Sequence, residues 1–443
     1  MIIKPKIKGF ICVNAHPLGC QKSVENQIDY VESLPANEKP LAGSKKALII
    51  GCSSGYGLAS RVALSFGSNT QTIGVYFDRE PTARKTASAG WYNNQHIETL
   101  AQDKNLFAQS LNMDAFQPET KVAAIELIKA SLKEVDLVIY SVAAPRRYIP
   151  SEDKWYNSVL KPVGESLQSK SINTDKGLIS TVDLEAATQD EIDATVKVMG
   201  GDDWYQWMEA LNTAGVLSDN CNTIAYTYIG EQITQPIYGE ATIGYAKKDL
   251  DHTAVKIDKL MSARQLSERQ LILDRPEALK DKQYQELKVT EIQALKDKKY
   301  AYIGVLKALV TQSSSAIPVM PLYISLLYKV MKESQVHEGC IEQIVRLLRT
   351  GLYGDTCQID SAGRLRVDEH ELDATIQAEV MRRWHEINDN NLWQLSDFAG
   401  YKRDFFQLFG FDFESINYQQ SVDTFGQKIE EAINEETIEG VSS

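Results

Sequence analysis

Five short runs of β-branched and aliphatic residues are spread along the chain, and each is too short to form a helix of average length. Because these runs are continuously apolar, they predict strands that are buried on both faces. Segments with helical patterns separate most of the runs. The predicted strands are Ala47–Gly51, Thr72–Phe77, Val135–Ser141, Asn222–Ile229 and Gly304–Thr311. The alternation indicates βαβ units and therefore a parallel sheet in an α/β fold.

Two segments depart from this alternation. The stretch Lys256–Tyr300 is dense in Lys, Glu, Gln and Arg, is interrupted by Pro276, and predicts charged helices on the surface. The longest apolar run, Ser315–Tyr328, contains Pro318 and Pro321. It is shorter than the ~20 residues that a membrane helix needs. We interpret it as a buried wall of the protein.

The size of the chain is sufficient for a large core. It has 443 residues, of which 43% are hydrophobic, enough for two or three ordinary domains or for one large α/β domain with additions. We interpret residues 1–433 as a single enlarged domain. Residues 434–443 are acidic and rich in small side chains, which predicts a disordered tail.

The net charge indicates which class of binding partner is favoured, and the cysteine spacing indicates the cellular compartment. The net charge is -13, so the chain lacks the general positive charge that binds nucleic acid or an anionic membrane, although a local basic patch stays possible. A small molecule is the favoured partner. The cysteines show no close pairing and follow no secretory leader, so reduced thiols in the cytoplasm fit best. They are Cys12, Cys20, Cys52, Cys221, Cys340 and Cys357.

The first predicted strand leads into a glycine-rich turn, ALIIGCSSGYGLASR at residues 47–61. Gly51 ends the strand, and Gly55 and Gly57 open the next helix, so that the backbone can approach a phosphate that side chains would block. The helix would direct its free N–H groups and the positive end of its dipole at that phosphate. The spacing Gly-x3-Gly-x-Gly is not the commoner dinucleotide pattern, and a structural turn without a ligand is the alternative.

Residues at the ends of other strands are typical of a dinucleotide site. Asp78 follows the second strand, where a carboxylate can accept from the adenosine ribose and repel a 2′-phosphate, which favours NAD over NADP. Arg79 and Arg84 lie beside it and favour the reverse. Asp114 could meet the adenine ring, and the small residues within Tyr140–Pro145 could lie near the ribose.

A tyrosine and a lysine indicate reductase chemistry. Tyr238 and Lys247 lie in the segment Asn222–Ala254, which combines an apolar strand, a turn and a helix. In nicotinamide-dependent short-chain reductases a phenol donates to a developing oxyanion, while a lysine holds the ribose. The separation is about two and a half helical turns, so the pair share a face only if Tyr238 lies just before the helix. A chance pairing of ordinary helix residues is the alternative.

Motifs from one end of the chain to the other resemble one family of reductases. They are MIIKPKIKGFICVNAHPLGC at the start, GCSSGYGLASR at 51–61, AGWYN at 89–93, the segment around Tyr238, VTQSSSAIPVMPLYISLLYKVMKE at 310–333, HEGCIEQ at 337–343 and DFAGYKRDFFQLFGF at 397–411. The chain resembles the trans-2-enoyl-CoA reductases and the FabV-type enoyl-acyl-carrier-protein reductases. These enzymes place eight residues between the tyrosine and the lysine, as this chain does, and other short-chain reductases place fewer.

This resemblance implies a Rossmann-type doubly wound sheet in an enlarged short-chain dehydrogenase/reductase fold with added helices. It implies a cytoplasmic, monomeric enzyme of fatty acid synthesis that uses NADH to saturate 2,3-trans-enoyl thioesters of CoA or acyl carrier protein. The charged segment 256–300 looks longer than is usual in the family, and residues 312–345 would cover the substrate.

The resemblance also assigns roles to residues. Tyr238 would be the proton donor, Tyr228 would bind substrate, and Lys247 would act in catalysis and hold NADH. The resemblance also implies further cofactor-binding residues. The pyrophosphate turn would consist of Gly51, Cys52, Ser53, Ser54, Gly55 and Tyr56. The ribose would be met by Phe77 and Asp78, the adenine by Asp114 and Ala115, the rest of the cofactor by Val142 and Ala143, and the nicotinamide by Leu309, Val310 and Thr311.

Two further expectations concern the substrate. The apolar run Ile317–Leu327 suits an acyl tail, each buried methylene of which contributes roughly 0.8 kcal/mol; ordinary core is the alternative. CoA and acyl carrier protein are both anionic, so either needs local cations despite the acidic total. Arg146 and Arg147 are the candidates.

Other chemistries have less support. The histidines have no His-x3-His spacing and the cysteines no close pair, so we assign no metal. The absence of a serine in a Gly-x-Ser-x-Gly turn argues against a hydrolase. A carbonyl reductase of the broader short-chain type and a non-catalytic dinucleotide-binding protein remain as alternatives to the enoyl-thioester reductase.

Overall fold

A computed structural model describes residues 1–40, 45–273 and 298–426 of the protein. The strands are β1 Ile7–Lys8, β2 Ile11–Cys12, β3 Lys46–Ile50, β4 Gln71–Tyr76, β5 Ala108–Asn112, β6 Val135–Tyr140, β7 Arg146–Ile149, β8 Lys154–Asn157, β9 Leu167–Asn173, β10 Leu178–Leu184, β11 Leu217–Thr227, β12 Ala301–Val305, β13 Gln358–Ile359 and β14 Leu365–Arg366.

The α-helices are α1 Pro17–Ser33, α2 Gly55–Val62, α3 Ala89–Asp103, α4 Pro118–Ser131, α5 Gln189–Met199, α6 Asp202–Thr213, α7 Thr242–Leu273, α8 Gln312–Ser315, α9 Met320–Glu333, α10 Cys340–Arg346, α11 Ala374–Glu386, α12 Leu392–Leu395 and α13 Phe398–Gln407. Two π-helical turns, Ala63–Gly67 and Leu347–Leu352, continue α2 and α10. Two 3-10 turns cover Pro150–Glu152 and Gln235–Ile237.

The strand order of the central sheet determines where the functional cleft lies. Its strands in the described residues have the order β13–β14–β12–β11–β6–β3–β4–β5, and only the β13–β14 pair is antiparallel. Starting from β5, this is the order of a doubly wound dinucleotide fold, extended by β14. The order of connection reverses between β3 and β6, where such folds bind their ligands. The prediction of a Rossmann-type α/β fold is confirmed.

The continuously apolar strands are buried on both faces. Along β3, Ala47 and Ile49 belong to a core cluster with α1, α2 and α10, whereas Leu48 and Ile50 belong to a cluster with α4, α6 and α7. All four side chains are fully buried. Burying one such aliphatic side chain stabilises the fold by about 1.5–3 kcal/mol, which explains why helices cover both faces of the sheet.

Helix α7 runs along the sheet from its carboxyl edge to its amino edge. Near its start, Lys247 Nζ donates to the Tyr226 carbonyl at the end of β11, at 3.3 Å. Further along, the Gln265 side chain donates to the Asp219 carbonyl near the start of the same strand. The helix therefore lies antiparallel to β11 and carries residues 256–273 of the predicted charged segment. Residues 274–297 of that segment, and 427–443 with the predicted tail, lie outside the described residues.

The apolar run 315–328 becomes mainly helix α9, which belongs to a third core cluster together with α11 and α13. Every side chain from Met320 to Tyr328 is buried, so the interpretation as a buried wall is confirmed. Among the described residues, no helix is long and apolar enough to cross a membrane.

Two strand predictions need correction. The predicted strand Gly304–Thr311 is wrong beyond residue 305, because β12 ends there and residues 306–311 form a buried loop. The predicted strand Asn222–Ile229 begins earlier, at Leu217, and ends before Tyr228. Strand β5 and the hairpins β7–β8 and β9–β10 did not stand out in the sequence, because these strands carry many polar residues.

Candidate active site

A cleft of about 990 Å³ opens at the carboxyl ends of the parallel strands. The ends of β3, β4, β6 and β11 contribute residues to it, together with α7 and the loop that follows β12. This is the edge where the connection order reverses. The topology therefore gathers side chains from distant parts of the sequence around one cleft.

The glycine turn forms one wall of this cleft. Gly51 has φ +91°, and a Cβ there would lie 2.3 Å from the Ser141 carbonyl oxygen. A Cβ at Gly57 would lie 2.1 Å from the Gly51 carbonyl oxygen. Helix α2 begins at Gly55, so its unpaired N–H groups face the cleft. Only glycine fits these positions, and the result is a cradle of backbone that suits a pyrophosphate.

Two asparagines of helix α3 hold this turn from behind. Asn93 donates to the Ser53 carbonyl at 3.0 Å, and Asn94 donates to the Cys52 carbonyl, also at 3.0 Å. Asn94 accepts in turn from the guanidinium of Arg61, at 2.6 Å. Both Asn94 and Arg61 are fully buried. The conformation of the turn is thus fixed by a buried polar network.

At the far end of the cleft lie Phe77, Asp78 and Asp114. Phe77 is 71% exposed, so its ring is available to a ligand. Asp78 lines the cleft, a position that suits a ribose hydroxyl; its Oδ2 is buried against Gly90 and has no hydrogen-bond partner in the described part of the chain. The Asp114 carboxylate accepts from the backbone of Phe116 at 3.0 Å and shapes the turn before α4. Arg79 donates instead to the carbonyls of Val13 and Thr86.

Three predicted side chains meet at the opposite end. Tyr238 follows the 3-10 turn at 235–237 and precedes α7, as the shared-face argument requires. Its ring meets that of Tyr228 edge to face, with centroids 4.9 Å apart. Burial raises the pKa of Tyr238 above its usual value, so the phenol keeps its proton at neutral pH. Lys247 lines the same cleft, and burial lowers the pKa of its ammonium to about 8.

The loop 306–311 closes the cleft beside these tyrosines. Its backbone N–H groups are satisfied largely by side chains: that of Lys307 by Gln343, that of Ala308 by Glu371 at 2.6 Å, and that of Val310 by Tyr328 at 3.1 Å. Thr311 caps helix α8 through its side-chain oxygen. The loop is thereby held without strand pairing.

The structure brings most of the predicted site residues together. Those that line the cleft are Gly51, Ser53, Ser54, Gly55, Tyr56, Phe77, Asp78, Asp114, Ala115, Val142, Ala143, Tyr228, Tyr238, Lys247, Leu309 and Thr311. Cys52 and Val310 are buried and do not line it. The backbone N–H of Cys52 already donates to the Val75 carbonyl, so this residue supports the turn from beneath.

The expectation for Arg147 is wrong. Its side chain is only 3% exposed and pairs with Asp202 at 2.9 Å. Its guanidinium also lies over the Phe116 ring. The guanidinium is buried and already paired with Asp202 and Asp203, so it is not available to an anionic carrier. Arg146 is exposed, with its guanidinium over the Trp155 ring at 4.8 Å, and remains a candidate.

Sequence reasoning missed Glu371, Lys307, Thr234 and the pair Asn93–Asn94. Glu371 is fully buried and contacts the hydroxyls of Tyr228 and Tyr323. Its sequence neighbourhood gives no sign of this role, because its partners lie far away in the chain. Asn93 is the last residue of the AGWYN motif and Asn94 follows it directly, so that motif was the signal that could have found the asparagines.

Three family models match the chain. One, described as the trans-2-enoyl-CoA reductase catalytic region, matches residues 85–271 and 277–353. Another, described as the NAD(P)H binding domain of trans-2-enoyl-CoA reductase, matches residues 2–83. A third, described as the enoyl reductase FAD binding domain, matches residues 359–422.

Individual relatives agree with these matches. The chain is 48% identical to an enoyl-[acyl-carrier-protein] reductase [NADH] of Idiomarina loihiensis, covering 96% of this chain and 99% of that protein. A similar relative from Saccharophagus degradans is 48% identical over 95% and 98% of the two chains. The solved trans-2-enoyl-CoA reductase of Treponema denticola in complex with NAD is 38% identical, with a TM-score of 0.85, and covers 97% of this chain and all of that one.

Residues 359–422 do not fit the FAD that the third description names. The strand in this range that joins the parallel part of the sheet, β14, is followed by Val367 and Asp368 and not by a glycine turn. The Asp368 carboxylate is 1% exposed and pairs with Arg366 at 2.8 Å. A pyrophosphate would meet this buried negative charge. In the described part of the chain, this range contributes only Phe409 to the lining of the cleft.

Proposed function

Since this chain belongs to the trans-2-enoyl-CoA reductase family, we propose that it uses NADH to reduce the 2,3-trans double bond of enoyl thioesters in fatty acid synthesis. One observation carries the proposal: Tyr228 and Tyr238 contact each other in the cleft that contains the glycine turn, and their ring centroids are 4.9 Å apart. A dinucleotide and an acyl thioester can therefore lie side by side next to two phenols.

The residues present fit NADH. When bound, NADH supplies a hydride for the β-carbon of the enoyl chain. The glycines let the turn pack closely, because a Cβ at Gly51 or Gly57 would clash with a backbone carbonyl oxygen. This packing leaves the start of α2, at Gly55, beside the cleft, where its N–H groups would bind a pyrophosphate. Asp78 lines the cleft, so its carboxylate would accept from the ribose diol, while its charge would repel a 2′-phosphate. Because Arg79 is engaged elsewhere, it does not offset this repulsion, and NADH is preferred to NADPH.

Two phenols stabilise the charge that develops on the substrate. Reduction at the β-carbon places negative charge on the thioester oxygen, and preorganised donors lower the energy of that state. Tyr238 is the proton donor, because burial raises its pKa and keeps it protonated until a strong base such as an enolate forms beside it. Tyr228 holds the thioester from the adjacent position.

Lys247 acts mainly on the cofactor. Its ammonium donates to the Tyr226 carbonyl at 3.3 Å and keeps further N–H donors free for the ribose. Its positive charge also favours negative charge nearby, which lowers the cost of moving a proton out of Tyr238.

The remaining cleft suits the nicotinamide and the acyl tail. Leu309 and Thr311 lie on the loop at 306–311 and would close over the nicotinamide. Ile317 and Met320 continue the cleft as an apolar wall at the start of α9. This wall offers an acyl tail about 0.8 kcal/mol for each methylene that it buries.

We extend the proposal to the context of the enzyme. Residues 1–433 act as one domain, the protein is a cytoplasmic monomer, and it binds neither nucleic acid nor a membrane stably, in keeping with its net charge of -13. The thioester is carried by CoA or by acyl carrier protein. Steady-state kinetics with crotonyl-CoA and crotonyl-carrier protein would rank the two carriers.

The test is to mix the purified protein with crotonyl-CoA and NADH, follow the oxidation of NADH, and identify the product by mass spectrometry. We expect the saturated butyryl thioester. Reduction of a ketone with crotonyl-CoA left unchanged would instead identify a carbonyl reductase. Binding of NADH without turnover of either substrate would identify a non-catalytic dinucleotide-binding protein.

A further inference from the structure

Glu371 is a buried carboxyl that touches the substrate-facing tyrosine from behind. One of its oxygens, Oε1, contacts the Tyr228 hydroxyl at 2.8 Å and the Tyr323 hydroxyl at 2.7 Å. The other, Oε2, accepts from the Ala308 N–H at 2.6 Å. Glu371 itself does not line the cleft. It can influence the reaction only through the groups that it holds.

The direction of the hydrogen bonds in this cluster is fixed at one end. The Gln377 amide nitrogen donates to the Glu371 carbonyl at 2.6 Å and to the Tyr323 hydroxyl at 3.1 Å. A carbonyl can only accept, so this contact identifies the nitrogen side of the amide. Because the Tyr323 oxygen accepts from Gln377, its single proton is directed to Glu371 Oε1.

The direction is also fixed at the other end. Thr234 Oγ1 donates to the Glu231 carbonyl at 3.0 Å, and this uses the only proton of that hydroxyl. Thr234 can therefore only accept from Tyr228, over a longer distance of 3.2 Å. Tyr228 thus has three possible acceptors behind the cleft, namely Thr234, an ionised Glu371 and the Tyr323 oxygen, which already accepts from Gln377.

The direction of the Tyr228 O–H consequently depends on whether Glu371 is ionised. If Glu371 is ionised, its Oε1 accepts from both phenols, and Tyr228 has no proton left for a substrate. If Glu371 is protonated on Oε1, that proton must go to the Tyr228 oxygen, because Tyr323 already donates to Oε1. The Tyr228 O–H is then released toward Thr234 and the cleft, where a thioester oxygen can replace Thr234.

We propose that Glu371 is a positioning residue for the reaction, and that Tyr228 donates to the thioester oxygen only when Glu371 carries a proton. This inference rests on the proposed function, since it assumes that a thioester oxygen lies beside Tyr228. It assigns to a residue outside the cleft control over one of the two phenolic donors.

The surroundings of Glu371 favour the protonated form. Burial raises the pKa of Glu371 above its usual value. The groups that face it are Tyr228, Tyr323, Tyr56 and Lys307. The first three are phenols whose pKa values are also raised by burial. Lys307 opposes the effect by its charge, but burial lowers the pKa of this ammonium to about 8 and so weakens its charged form.

The experiment measures kcat/KM for crotonyl-CoA across about pH 5–7 at saturating NADH. This range lies below the pKa of about 8 of Lys247, so that neither titration of that ammonium nor changes in cofactor binding contribute. For the wild type we expect kcat/KM to fall as rising pH ionises Glu371. In Glu371→Gln the Ala308 N–H keeps the amide oxygen at the Oε2 position, so the amide nitrogen lies beside both phenols and can only donate. Tyr228 then keeps its proton for the substrate at every pH, so activity should stay within about threefold of the acid value of the wild type and lose the fall. Tyr323 loses its acceptor, so some loss of stability accompanies this change. Tyr228→Phe should be slower and should also lack the fall.

Glu369→Gln is the matched control, because that carboxyl pairs with Arg346 outside the cluster, and it should keep the profile of the wild type. A Glu371→Gln enzyme that retains the fall of the wild type would overturn the inference, as would a fall that persists in Tyr228→Phe. A merely structural role would lower the melting temperature of Glu371→Gln without changing its pH profile. If the wild type fails to reduce crotonyl-CoA with NADH, the proposed function fails instead.

Discussion

Tyr238 and Tyr228 share one cleft but differ in what lies behind them. Tyr228 shares its hydroxyl with Glu371 and Thr234. The Tyr238 ring is buried against Tyr228 and, within residues 1–40, 45–273 and 298–426, no carboxylate acts on its hydroxyl. The proton of Tyr238 is therefore not claimed by a neighbouring acid. This contrast is the physical reason for assigning proton donation to Tyr238 and substrate positioning to Tyr228.

Replacing Tyr238 by phenylalanine should lower kcat by ~10²–10³, the usual effect of losing one donor to an oxyanion. The ring and its packing remain, so folding and NADH binding should be unchanged. The measurement is steady-state kinetics with crotonyl-CoA, accompanied by NADH titration. Tyr245→Phe is the control, since Tyr245 lies exposed on α7 and should be dispensable. Near wild-type kcat in Tyr238→Phe would transfer the role to Tyr228.

The ammonium of Lys247 should make NADH binding sensitive to pH. Burial lowers its pKa to about 8, so the charged form is present below that pH and is lost as pH rises through it. The KM for NADH should therefore be low and constant on the acid side, and should rise about 3- to 10-fold per unit above it. In Lys247→Arg, which stays charged, the KM should not rise in this range.

Lys248→Arg is the matched control for this measurement, because Lys248 is exposed and its ammonium lies over the Tyr245 ring. It should show the same rise as the wild type. If the KM of Lys247→Arg rises as the wild type does, another group is responsible for the pH dependence.

At the scale of elements, helix α3 supports the cofactor site from behind the glycine turn. Among the described residues, none of α3 lines the cleft. Asn94 joins the Cys52 carbonyl to the Arg61 guanidinium, and so it links the glycine turn to helix α2. The turn keeps its shape because two helices are bonded to it from behind.

Removing this link should destabilise the protein and weaken cofactor binding together. In Asn94→Ala, the buried Arg61 and the Cys52 carbonyl each lose a partner, at a cost of about 2–4 kcal/mol in the free energy of unfolding. The KM for NADH should increase as the turn loosens. Denaturant unfolding and steady-state kinetics measure the two effects. Gln102→Ala, an exposed site on the same helix, should change neither.

Particular elements show how far the sequence alone could reach. The glycine turn was predictable because its requirements are local: a strand, close backbone approach and a helix start within a few residues. The segment 304–311 was misread because buried loops and buried strands have the same apolar composition. Its N–H groups find Gln343, Glu371 and Tyr328, which no local pattern reveals.

At the scale of the whole molecule, both the protein and the carrier of its substrate are negatively charged. The net charge is -13, so long-range electrostatics repel both CoA and acyl carrier protein. Binding must then depend on cations at the mouth of the cleft. Arg146 is exposed and follows Pro145, which lines the cleft, whereas Arg147 is engaged in the interior.

Reversing the charge at Arg146 should raise the KM for crotonyl-CoA several-fold in dilute buffer, and the difference should shrink in concentrated salt because salt screens exposed charges. The values of kcat and of the KM for NADH should not change. Lys129→Glu makes the same charge change on α4, at an exposed site that does not line the cleft, and should leave the KM unaltered. Equal effects of the two substitutions would assign the change to net charge alone.

The length of helix α7 has a practical consequence for labelling the protein. At about 1.5 Å per residue, its last residue, Leu273, lies roughly 39 Å along the axis from Lys247, toward the amino edge of the sheet. The last described residue of the helix therefore lies far from the reaction centre. The same geometry makes this end of the helix a convenient place to graft a fluorescent reporter.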